Sequence, residues 1–210
     1  MSLSCFWAEP LYIGQMFSKD VRQPSSRRFQ LRTSTAAEHE MLDAMVGTFS
    51  DRASYEAYVR SIYAFRLPLE RALARARLPE SFFPWSPLLI GEALERDVNV
   101  LNLGKSDNLR SSPEIETTEQ LYGLLYTLEG SSLGAQILVK RAAALGFDAD
   151  TGASHLVRQA GSIGSWRSFC DHLEAEPSLD MSEVSASACG TFRRARECFS
   201  KHQAAGSLVA

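Results

Sequence analysis

The chain has 210 residues, which suits one domain of ordinary size, since single domains mostly run to about 50–250 residues. With 45% hydrophobic and 22% charged residues it can bury a core, which excludes wholesale disorder; Lys+Arg 22 against Asp+Glu 25, net −3, forms no basic stripe, so nucleic acid is not an expected partner. No run approaches the ~20 apolar residues of a membrane helix, and the first ten residues lack a positive n-region and meet Glu9 and Pro10 before any apolar run develops, so no membrane association and a cytoplasmic location are expected.

Residues 1–28 mix Phe6, Trp7, Tyr12 and Phe17 with Pro10, Pro24, Ser25 and Ser26 without a sustained period, and read as an irregular N-terminal extension. From Leu31 the pattern changes: Leu31, Thr35, His39, Leu42 and Met45/Val46 recur at steps of three and four, the mark of one helical face. Its start is open, because Thr35-Ala36-Ala37-Glu38 also reads as a capping box that would begin the helix only at Thr35. Gly47 fits a C-cap and Ser50-Asp51 the N-cap of a second, long helix. That helix carries Tyr55, Tyr58, Val59, Ile62, Tyr63 and Leu67, then Leu69, Leu73 and Leu78; Pro68 is expected to kink it and Pro79 to end it.

Between Pro79 and Pro113 the texture shortens, with Leu88 to Arg96 as a helical piece among loops. Thr117-Thr118-Glu119-Gln120 opens a third long helix through Leu121, Leu125, Leu128, Leu133 and Leu138, stopped by Gly146. A fourth segment starts near Thr151, breaks at Gly161 and Gly164, resumes around Trp166, Phe169, Cys170 and Leu173, and ends at Glu176-Pro177. The last helix holds Val184, Ala188, Phe192, Ala195 and Phe199 and frays from Ala204. With no strand alternation longer than about four residues, the chain reads as all-α: an extension over 1–28, one helical domain over 29–203 and a tail over 204–210.

Cysteines 5, 170, 189 and 198 form no C-x-x-C pair and are read as ordinary thiols. His155, His172 and His202 stand beside polar residues and are expected at the surface; His155 is a reserve ligand candidate.

Two helices carry unusual content. In the third, Leu128-Glu129-Gly130-Ser131-Ser132-Leu133-Gly134-Ala135-Gln136 puts two glycines four apart in mid-helix, each costing roughly 1 kcal/mol relative to alanine. Bare backbone on one face admits either a tightly packed neighbouring helix or a flat ligand. In the first, His39 lies on the apolar stripe, with Asp43 about 40° around the helix and Arg32 nearly on the same face two turns earlier. Asp43 is placed to accept from one ring nitrogen, directly or through water, leaving the other for a metal, and Arg32 would suit an anionic group about 10 Å away along the helix.

Residues 31–43 (Leu-Arg-Thr-Ser-Thr-Ala-Ala-Glu-His-Glu-Met-Leu-Asp) together with 125–136 (Leu-Tyr-Thr-Leu-Glu-Gly-Ser-Ser-Leu-Gly-Ala-Gln) resemble the haem oxygenase family, in particular its bacterial, bacteriophytochrome-associated branch. The resemblance spans residues 29–200 and implies a helical fold gripping haem between a proximal and a distal helix. It makes His39 the iron ligand, with Asp43 where a glutamate usually accompanies it. Gly130 and Gly134 become the distal glycines, and Arg32 and Arg141 candidate propionate partners. The animal enzymes carry aspartate where Ser131 stands here, so a proton-delivering water network would be organised differently; Ser131 and Ser132 either hold water or bond back to the preceding turn.

The implied reaction is O2- and electron-dependent cleavage of haem, which is both substrate and cofactor, to biliverdin, ferrous iron and carbon monoxide. No G-x-G-x-x-G opening a strand–helix unit occurs, so electrons must come from an external donor, a reductase or ferredoxin. A bacteriophytochrome would take up the bilin. A non-catalytic haem- or bilin-binding protein of the same fold is the rival; a di-iron protein lacks its Glu-x-x-His pairs in this chain.

Overall fold

The computed structural model describes residues 26–104 and 111–206, with side chains through Lys201. Among the described residues there are seven α-helices and no strand: α1 (Arg27–Val46), α2 (Arg52–Leu73), α3 (Gly91–Val100), α4 (Thr118–Ala144), α5 (Ser154–Ala160), α6 (Ile163–Ala175) and α7 (Met181–Gly206), with a single 3-10 turn at Glu80–Phe82. The all-α expectation therefore holds.

α1 begins ahead of both sequence-derived starts. Ser26 Oγ accepts from the Phe29 amide, and the Arg27 and Arg28 amides donate to the Glu174 carboxylate at 3.1 and 3.0 Å. Thr35 sits inside the helix, its hydroxyl donating to the Leu31 carbonyl at 2.7 Å, so the capping-box reading is wrong. Arg27 and Arg28 thus leave the stretch expected to be irregular; residues 1–25 lie outside the described residues. At its other end Gly47, with φ 65°, turns the chain and donates its amide to the Asp43 carbonyl, as a left-handed cap requires.

α2 starts where Asp51 and Ser54 cap each other reciprocally. Pro68 is inside it, but the helix stops at Leu73, well short of Pro79. Leu73 is its last buried residue and Ala74 and Arg75 are exposed, so the apolar face that would hold further turns is gone. α3 starts at Gly91 rather than Leu88 because the Ile90 and Gly91 amides donate to the Glu70 carboxylate at 3.0 and 2.7 Å. α7 continues through Ala204 to Gly206, past the expected fraying point.

α4 is the central element, with residues 121–130 buried without interruption. α7 packs against α1, α2 and α4. Its approach to α4 depends on Gly123, where an added Cβ would stand 2.6 Å from both Ser187 Cβ and the Val184 carbonyl oxygen. Between α1 and α4 contact is at most sparse, and that gap is where the site lies.

Candidate functional site

The gap is an apolar cleft of about 780 Å³, part of it open to solvent. α1 contributes His39, Asp43 and Val46, and α4 contributes Ser131, Gly134 and Leu138. Tyr58 and Phe65 of α2 and Phe192 and Phe199 of α7 form aromatic sides, and Gln159 of α5 adds a polar group. The helical register delivers these residues: His39 and Asp43 are one turn apart on α1, Ser131 and Gly134 on α4.

The His39 and Asp43 side chains are only 19% and 12% exposed, with Nδ1 3.1 Å from Asp43 Oδ2. Phe192 meets the imidazole edge-on at 5.6 Å. With Nδ1 turned to Asp43, Nε2 is the candidate ligand atom. Among the described residues no cluster of three or more His, Cys, Asp or Glu side chains could hold a bare metal ion. One imidazole on an apolar cleft instead fits a metal that arrives within its own organic ring, as in haem.

Across the cleft, a Cβ at Gly134 would meet nothing within 4 Å. Helix packing therefore does not demand glycine there; that role belongs to Gly123, which the sequence reading did not single out. An open cradle at Gly134 opposite His39 fits a flat macrocycle. Gly130 is buried one turn earlier and lies outside the cleft lining.

The serines bond back to their own helix: Ser131 Oγ donates to the Leu128 carbonyl at 2.5 Å and Ser132 Oγ to the Glu129 carbonyl at 2.7 Å. Ser131 also accepts from Gln159 Nε2, a tertiary partner with no local sequence signal. Neither arginine borders the cleft. Arg32 is exposed on α1, and Arg141 donates to the Gly47 carbonyl at 2.6 Å, tying α4 to the end of α1. Phe192 and Phe199 do line the cleft, whereas Trp166 and Phe169 belong to the core.

Two histidines expected at the surface are not there. His155 is fully buried, its Nδ1 2.6 Å from Asp97 Oδ2, with Tyr58 stacked at 5.9 Å. Burial lowers the His155 pKa, so the ring is neutral with Nδ1–H donated to Asp97. Burial alone would raise Asp97, but the hydrogen bonds from His155 ring and backbone outweigh it and hold the carboxyl below its usual value. His172 is part-buried against Phe82 and Trp85; the His202 side chain lies outside the described residues.

A buried network backs the α4 wall. Arg66 donates to Glu70 at 2.9 Å, to the Leu128 carbonyl at 3.2 Å and to the Leu88 carbonyl at 2.9 Å. Glu129 accepts from the Leu88 amide at 2.6 Å, and its burial pushes the carboxyl pKa upward.

An all-helical fold with an imidazole and an open glycine on one apolar cleft has the features of a haem-binding class, and comparison with known proteins gives the family. The model of the family described as Heme oxygenase matches residues 28–201, and the chain belongs to that family of haem-degrading oxidoreductases. It is 30% identical over 161 residues to Heme oxygenase PigA of Pseudomonas aeruginosa, covering 71% of this chain and 81% of that protein. Among solved structures it resembles the heme oxygenase of Neisseria meningitidis determined with NO and CO bound, with a TM-score of 0.70 and 24% identity, over 85% of this chain and 92% of the other; that likeness concerns the fold.

Proposed function

We propose that the cleft between α1 and α4 binds haem, with His39 as the residue that would hold its iron, and that the protein cleaves haem to biliverdin, ferrous iron and carbon monoxide. The observation that carries this is the pairing of a single part-buried imidazole with the empty cradle at Gly134 on one apolar slot. When bound, haem supplies the redox iron and is itself the group oxidised.

The protein's part is to bind, orient and exclude water. Asp43 Oδ2, 3.1 Å from His39 Nδ1, is placed to orient the ring so that Nε2 is the nitrogen left for a ligand. Gly134 leaves room that any side chain would fill, and the aromatic sides keep bulk water from the slot. Ser131, Thr127 and, from α5, Gln159 are polar groups on the α4 side. Arg32, two turns before His39, is the candidate for an anionic propionate; Arg141 would have to share its hold on Gly47 to do the same.

Electrons come from a separate reductase or ferredoxin, since no dinucleotide-binding glycine motif occurs in the chain. The product would pass to a bilin acceptor such as a bacteriophytochrome, in the cytoplasm. The test is aerobic incubation of the haem-loaded protein with a reductant. Loss of the Soret band with appearance of biliverdin is expected; a persistent haem spectrum would make the protein a binder without turnover.

A further inference from the structure

The polar pair on the α4 side has a hydrogen-bond count that assigns roles. A serine hydroxyl has one proton, and Ser131 has given it to the Leu128 carbonyl. That carbonyl also accepts from buried Arg66, which fixes it in place. One of the two Ser131 lone pairs is taken by Gln159 Nε2, so towards the cleft Ser131 can only accept. The Gln159 amide nitrogen carries two protons. One goes to Ser131, and among the described residues none accepts the other, although Gln159 is only 2% exposed and borders the cleft.

Other donors nearby are committed or distinguishable. Thr127 lines the cleft but its hydroxyl donates to the Gly123 carbonyl. His155, with Nδ1–H on Asp97, has only an acceptor left at Nε2. Tyr58 borders the cleft with a hydroxyl that stays protonated, because burial pushes its pKa up; it is the competing donor.

We infer that Gln159 is the hydrogen-bond donor of the α4 wall, offering its second amide proton to a small ligand held against Gly134, and that Ser131 is a positioning residue for it. Because the Ser131 hydroxyl is locked as an acceptor, it turns the amide nitrogen, rather than the amide oxygen, toward α4. The motif serine thus acts through a residue on another helix. The inference rests on the haem reading above.

The test uses the full chain loaded with haem. In the ferrous carbon monoxide complex, Gln159→Leu and the longer Gln159→Met are expected to raise the C–O stretching frequency. In the ferric form they should weaken fluoride binding about tenfold, the loss of one hydrogen bond to an anion. Ser131→Ala should broaden or split the C–O band, since an unanchored amide presents either end, and Tyr58→Phe should leave band and affinity unchanged. An unmoved band in both Gln159 variants, or the whole effect appearing in Tyr58→Phe, overturns the assignment while leaving the haem reading intact. Absence of any Soret band in the native chain overturns both.

Discussion

At the residue scale, His39 and the two kinds of mid-helix glycine separate function from packing. His39→Ala is expected to abolish histidine-type spectra of the added haem, and an unchanged spectrum would remove His39 as ligand. Gly134 and Gly123 look alike in sequence, yet one borders empty space and the other sits against α7 backbone. Gly134→Ala should therefore stabilise the ligand-free protein by up to about 1 kcal/mol, the helix propensity of alanine over glycine, while weakening haem binding. Gly123→Ala should destabilise it by roughly 1–3 kcal/mol through overpacking. Thermal unfolding with and without haem measures both. The motif around Gly130 and Gly134 was legible because its spacing is local; the partners Gln159 and Asp97 were not, because nothing near them in sequence records what a distant helix brings to them.

At the element scale, α1, α3 and α5 share a device; at α3 and α5, which have no side-chain cap of their own, it explains why the starts were misread, whereas α1 also carries the local cap Ser26. Each has first-turn amides satisfied by a carboxylate from elsewhere in the chain: Glu174 for α1, Glu70 for α3 and Asp97 for α5. A local cap, as at Asp51 and Thr117, can be read from sequence, whereas a tertiary cap leaves no signature at the helix it serves. Asp97→Ala should be strongly destabilising, by about 3–5 kcal/mol, because it strands buried donors on α5 together with the His155 ring. The linked pH dependence has a definite sign. His155 has a folded pKa below its unfolded value, so its contribution is present above about pH 6.5 and is lost as pH falls below it. The lowered Asp97 pKa adds stability that is lost only below about pH 4. Unfolding midpoints should fall between pH 7.5 and pH 5, and His155→Gln should flatten that dependence.

At the scale of the whole molecule, the helices are unequally held. α4 is enclosed over a continuous ten-residue stretch, 121–130, whereas α1 has only Leu31 and Thr35 fully buried. The ligand-free protein should show faster amide exchange in α1 than in α4, and haem should slow exchange in α1 preferentially, since a ligand bound only by the folded state suppresses opening. Equal protection in both helices without haem would contradict this. The order of the long helices was legible from apolar periodicity, but the unequal burial was not, because α1 and α4 both present leucines at helical spacing and only the neighbours differ.

Beside its packing on α7, α1 is held by polar ties: Glu174 at its first turn, the Arg196–Glu38 ion pair along its length and Arg141 on the Gly47 carbonyl at its end. Such ties exchange readily for water. Loosening α1 would accordingly widen the cleft along its whole length while leaving the hydrocarbon interior around α4 closed.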